Sequence, residues 1–154
     1  LTLVLNAAWV KSRVKFSDEG LVKEKDRPLQ GQSPYIVNAG LYYTSSEKIG
    51  LSASLLYNII GKRIVGVGKS VDGNSDYDVP DAYEMPRNVL DLTINKTFGK
   101  IVSLKLGIKD ILAQSVIMKQ FPTTTIDGVK QEREQITRKY TPGRSISLSL
   151  SLKF

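Results

Sequence analysis

Gly143-Arg144-Ser145-Ile146-Ser147-Leu148-Ser149-Leu150-Ser151-Leu152-Lys153-Phe154 is the stretch that decides the fold. From Ser145 onward a large apolar residue holds every even position, and Ser or Lys holds every odd one. A strand turns successive side chains to opposite faces, so this period of two puts Ile146, Leu148, Leu150, Leu152 and Phe154 together and sets the serines against them. A helix would scatter both sets. Water-soluble strands alternate too, but strands that cross an outer membrane run about 9 to 11 residues, with apolar side chains toward lipid, polar ones toward the lumen and aromatics at the interfaces. The length, the pattern and the terminal aromatic fit the second case.

Composition narrows the alternatives. The chain has 154 residues, 41% of them apolar and 24% charged, which is the composition of a folded domain. No run approaches the length of a transmembrane helix, whereas barrel strands are averaged out by a mean hydropathy such as the -0.15 found here. The net charge of +7 is spread along the chain without a basic run, which reads as a solvated surface and gives no nucleic-acid partner. The chain has no Cys and no His. Their absence removes disulfides, thiol nucleophiles, Ser-His-Asp and Cys-His catalysis and the common zinc sites. The expectation is a protein that is not an enzyme and calls for no cofactor.

In chain order, Leu1 to Phe16 reads as a first strand with a bulge near its far end, and Tyr35 to Thr44 as a second. Ile49 to Ile60, continuing past Gly61 to Val67, reads as a third, Asn88 to Phe98 as a fourth and Ile101 to Leu112 as a fifth. Gly143 to Phe154 is the sixth. Ser17 to Gln32, Gly68 to Met85 and Ala113 to Pro142 are long connections, the last able to extend as a hairpin through Val116 to Phe121 and Val129 to Tyr140. The turns at Ser45 to Lys48 and Gly99 to Lys100 are short. Long and short connections alternate, as in outer-membrane barrels with long extracellular loops and short periplasmic turns. Tyr42, Tyr43, Phe98 and Phe154 fall at short-turn ends, and Tyr35 and Tyr57 toward the long-loop ends. The fold expected is all-β: an antiparallel up-and-down transmembrane β-barrel fragment of about six strands. Six strands are too few to close a spanning barrel, and an open edge in lipid leaves backbone groups unpaired, so further strands are expected before Leu1 or on another chain.

Four patterns invite a chemical reading. Gly66-Val67-Gly68-Lys69-Ser70 resembles part of a phosphate loop, but Arg63 stands where its first glycine belongs and no helix follows. Asp72, Asn74, Asp76 and Asp78 recur every second residue like calcium ligands, yet Tyr77 replaces the turn glycine and Tyr83 the bidentate carboxylate, leaving a solvated acidic loop as the default. Glu132 and Glu134 are spaced for one strand face rather than for an acid–base pair in a pocket. Lys105, Lys109, Arg144 and Lys153 face the lumen in this scheme, beside small Ser and Thr neighbours that mark a wet wall.

Several blocks resemble the carboxyl-terminal end of TonB-dependent outer-membrane receptors, most closely the SusC-like importers. They are Gly31-Gln32-Ser33-Pro34-Tyr35-Ile36-Val37-Asn38, Tyr83-Glu84-Met85-Pro86-Arg87-Asn88-Val89-Leu90-Asp91, Lys109-Asp110-Ile111-Leu112, and Tyr140-Thr141-Pro142-Gly143-Arg144 leading to Phe154. The resemblance covers nearly the whole chain. It implies that residues 1–154 form the last six strands of a barrel of about 22 strands in the outer membrane of a Gram-negative bacterium, importing a nutrient, glycan or peptide. The partners it implies are outer-membrane lipid, the remaining strands and an amino-terminal plug, TonB acting through that plug, the barrel-assembly machinery, and a surface lipoprotein that lids the barrel. It assigns Ile146, Leu148, Leu150, Leu152 and Phe154 to the lipid-facing assembly signal, and no substrate-binding residue carries over. Plug, TonB-contacting segment and leader are not in this sequence, so transport by the segment alone is not expected. Two other readings stand beside it: a soluble antiparallel β-domain that binds carbohydrate or protein through its long loops, and a small porin whose first strands are absent.

Overall fold

A computed structural model of the chain describes residues 1–15, 26–69, 79–99, 101–127 and 129–153. Among them the strands follow in the order β1 (Thr2–Trp9), β2 (Val14–Lys15), β3 (Asp26–Arg27), β4 (Tyr35–Thr44), β5 (Leu51–Ile60), β6 (Arg63–Gly66) and β7 (Ala82–Glu84). They continue with β8 (Arg87–Phe98), β9 (Val102–Lys109), β10 (Val116–Gln120), β11 (Thr123–Ile126), β12 (Val129–Glu132), β13 (Gln135–Tyr140) and β14 (Ser145–Leu152). The protein is all-β and its sheets are antiparallel.

The six long strands form one sheet in the order β1-β4-β5-β8-β9-β14, which is also their order in the chain. The sheet is open, with β1 and β14 at its two edges. Register is pinned by alternation, because a one-residue slip would exchange the faces of a whole strand. One apolar row crosses all six strands: Leu3, Leu41, Leu55, Leu92, Ile108 and Ile146 are successive partners. The row beside it, on the opposite face, is Thr2, Tyr42, Ser54, Thr93, Gly107 and Ser147.

Where strand limits differ from those read in the sequence, backbone conformation is the cause. β1 ends at Trp9, with one further rung from Val10 N–H to the Pro34 carbonyl at 2.9 Å, and pairing resumes only at β2. Phe16 lies outside the described residues. Ile49 belongs to a turn rather than to β5, because Gly50 adopts φ +61°, and a Cβ there would stand 2.6 Å from the Thr97 carbonyl oxygen. β9 stops at Lys109, not Leu112: Asp110 and Ala113 both have positive φ and close a turn, Ala113 N–H donating to the Asp110 carbonyl at 2.9 Å. β5 and β6 are separate strands, divided at Gly61, where a Cβ would meet the Tyr35 ring at 2.7 Å.

The described parts of the long connections hold strands of their own. They carry the sheet order β13-β10-β7-β6 and the ribbons β2-β3 and β11-β12. β2 continues the chain from β1, β3 leads into β4, β6 follows β5, β7 precedes β8, β10 follows β9 and β13 precedes β14. Gly31 N–H donates to the Ile64 carbonyl at 2.8 Å and so ties the segment after β3 to β6. The connection layer thus repeats the order of the six-stranded sheet, strand for strand. The expected hairpin in the third connection exists as β10 with β13, capped by the β11-β12 hairpin, and a register shift between Met118 and Lys119 marks a bulge.

The buried side chains lie in and beside this layer. Among the described residues the buried hydrophobics are Ile64 and Val116, and the buried polar residues are Arg27, Ser33, Asp81 and Asp110. Among the described residues no element covers the apolar face of the six-stranded sheet.

Candidate functional site

Among the described residues the apolar face of the six-stranded sheet is unpartnered. On β14, Ile146, Leu148, Leu150 and Leu152 are 71%, 69%, 64% and 54% exposed, so the alternation read in the sequence puts these four side chains on one open face. Phe154, the fifth member of that set, lies outside the described residues. Leu3 and Leu5 on β1, Leu41 and Tyr43 on β4, and Leu55 on β5 continue the exposed surface across the sheet. A lone exposed Leu is unremarkable, but a face this continuous marks an interaction surface.

Aromatic residues stand toward both ends of that face. Trp9 is paired with Tyr35 at the long-connection end, and the Tyr57 hydroxyl donates to Asn88 Oδ1 at 2.5 Å. Tyr43 and Phe98 stand at the short-turn end, exposed. Tyr42, grouped with them by sequence position, points to the other face, where it shares a row with Thr2 and Ser54 and its ring lies against Gly40.

That other face is polar. Asn6, Asn38 and Asn58 are successive partners, with Asn58 Nδ2 donating to Asn38 Oδ1 at 2.6 Å. Thr44, Ser52, Asn95, Lys105 and Ser149 form a second row, and Ser103 Oγ donates to Asn95 Oδ1 at 3.1 Å. Lys105 therefore lies where the sequence placed it, among small hydroxyl and amide neighbours. Lys109 is paired with Ser145, Arg144 Nε donates to the Ile111 carbonyl at 2.7 Å, and Lys153 follows β14. Lys105 thus lies within the sheet, Lys109 and Arg144 at the long-connection ends of β9 and β14, and Lys153 at the short-turn end.

At the long-connection end a cavity of about 290 Å³ opens between Val10, Pro28, Pro34, Ile64 and Tyr83, with Lys62 and Arg63 also lining it. Lys62 Nζ stands 4.0 Å from the centre of the Tyr83 ring and 4.4 Å from that of Phe121, and the two rings meet edge to face at 5.9 Å. Lys62 and Tyr83 come from the connection between β5 and β8, and Phe121 from the one between β9 and β14. Nothing in their sequence spacing signals the contact.

Beside this cavity Arg27 and Asp81 form a buried ion pair at 2.8 Å. Asp81 also accepts the Gly68 N–H at 2.6 Å. Gly68 has no room for a side chain, since a Cβ would sit 2.3 Å from the Val79 carbonyl oxygen. The glycine of the apparent phosphate loop is thus required by close backbone approach, and Lys69 next to it forms an antiparallel bridge with Val79. Arg87 pairs with Asp110, whose own N–H donates to Asp91 Oδ1 at 2.8 Å. Arg13, just before β2, and Asp26, the first residue of β3, make an exposed pair, and the guanidinium holds the Asp26 carboxyl below the usual carboxylate range.

The other acidic candidates resolve differently. Glu132 ends β12 opposite Thr123, while Glu134 lies beyond that strand and pairs with Lys119, so the two carboxylates do not share a strand face. The chain leaves the β11-β12 hairpin between them. Asp72, Asn74, Asp76 and Asp78 lie outside the described residues. Among the described residues no helix is long and apolar enough to cross a membrane, a test that does not address strands. Comparison of the chain with protein-family models, with curated proteins and with solved structures gives no match.

Proposed function

We propose that this chain is wall: the carboxyl-terminal strands of an outer-membrane β-barrel whose apolar face meets lipid and whose polar face lines the lumen. The observation that carries the reading is the single apolar face running across six antiparallel strands in chain order, exposed at β1 and β14, half-buried along most of β8 and β9, and flanked at both ends by aromatics. A water-soluble domain would bury such a face under a second layer, whereas a barrel strand presents it to hydrocarbon. The open edges at β1 and β14 supply the second support, since each must pair with a further strand before the sheet can lie in lipid. Together with the sequence blocks that resemble SusC-like TonB-dependent receptors, these features favour the end of a nutrient importer. In it the segment contributes wall, outer loops and terminal assembly strand, and it carries no chemistry of its own.

Single cysteines along β14 test the proposal in cells that make the whole protein. At Leu148 and Leu150 a cysteine is expected to resist a water-soluble maleimide, and at Ser147 and Ser149 to react once the lumen is opened to the reagent. Equal labelling at all four positions, or recovery of the protein from the soluble fraction, would overturn it.

A further inference from the structure

On the apolar face of the six strands Lys96 is the one charged residue among those described. It lies between Leu51 of β5 and Leu104 of β9 in the same cross-strand row. A cation in mid-face would be costly, but Lys96 is two residues from the end of β8. Its side chain turns away from the middle of the face. Nζ donates to the carbonyl oxygen of Ile49, in the turn two residues beyond its partner Leu51, and stands 5.5 Å from the centre of the exposed Phe98 ring. An aliphatic stem along apolar surface with its ammonium at the rim is the posture of a snorkelling lysine.

The other end of the strand gives the scale. Asn88, bonded to the Tyr57 hydroxyl, is the polar residue that closes the apolar run of β8 at the long-connection end. From Asn88 to Lys96 the strand rises roughly 27 Å. A strand tilt of about 40° reduces this to roughly 20 Å along a barrel axis, close to the ~25 Å height of an outer-membrane apolar band. Lys96 therefore falls at the headgroup level of the short-turn side. An ammonium has three donors, and among the described residues only the Ile49 carbonyl accepts from this one.

We propose that Lys96, flanked by Phe98, binds the phosphate of a membrane phospholipid at the short-turn rim of the apolar face. The proposal rests on the lipid-facing reading above. The phosphate completes the lysine's donor set and the acyl chains lie along Leu104 and Leu150, which share its row.

The test uses the whole protein in vesicles of phosphatidylcholine containing a minor fraction of spin-labelled phosphatidylglycerol. For the wild type the spectra are expected to count one more headgroup-selective lipid per protein than for Lys96→Gln, which keeps a donor but loses the charge. Lys96→Arg is expected to keep that lipid. Selectivity at this site should be about fivefold, as for one cation near an anionic surface. An unchanged count in Lys96→Gln would overturn the proposal, because a lysine that served only to cap the Ile49 carbonyl would not read headgroup charge. A spin label replacing Leu148 separates the two readings. Oxygen contact there with no headgroup effect removes the Lys96 site alone, whereas contact with aqueous nickel instead of oxygen removes the membrane reading as well.

Discussion

Asp81 shows what a single residue does in this chain. Its carboxylate joins Arg27 from the first long connection to Gly68 from the second, in a site where the Arg27 and Asp81 side chains are only 4% and 1% exposed. A buried pair adds little over an apolar one, but losing one member of it is costly, by about 3 to 5 kcal/mol. Asp81→Ala is therefore expected to loosen both connections at once. Limited proteolysis of the whole protein should show faster cleavage in both, while Arg13→Ala, at the exposed pair with Asp26, leaves cleavage unchanged. Acceleration in one connection only would mean that the pair does not couple them. This site was not legible in the sequence. Arg27 and Asp81 are separated by 54 positions, and no local pattern marks either as buried.

The strands were legible because each states its two faces in its own residues. β14 is the clearest case: replacing Leu148 or Leu150 by Arg is expected to cost about 2 to 4 kcal/mol in a bilayer near its midplane, whereas Ser149→Arg on the polar face costs little. Urea titration of the whole protein refolded into vesicles measures the difference. Equal penalties on both faces would point to a strand packed between two protein layers. The short strands of the connection layer were harder to read. β6 and β7 hold four and three residues, and a register shift between Ile64 and Gly66 breaks the pattern that alternation relies on. Gly50 and Asp110 ended strands through backbone conformation, which apolar spacing does not reveal. Lys96 was the opposite case, plain at its even position between Ile94 and Phe98 but without a role until its ammonium was seen to reach the Ile49 carbonyl.

At the scale of the whole molecule the two edges of the sheet decide its behaviour. β1 and β14 each present a row of backbone groups with no strand beside them, and each exposes its large apolar side chains beyond what the inner strands show. An edge that is long, flat and apolar invites pairing with other strands, and soluble sheets usually protect such edges with charge, bulges or covering elements. On its apolar face neither edge strand carries a charge: β1 offers Leu3, Leu5, Ala7 and Trp9, and β14 offers Ile146, Leu148, Leu150 and Leu152. Both edges are therefore built to be covered. Residues 1–154 produced alone are expected to aggregate in water and to fail to enter vesicles. Supplied with strands that pair with β1 and β14, the same residues should insert and become resistant to protease along β4, β5, β8 and β9. A stable monomer of residues 1–154 in water would show that the edges are protected in some other way, and the apolar face would then have to be a docking surface for protein rather than for lipid.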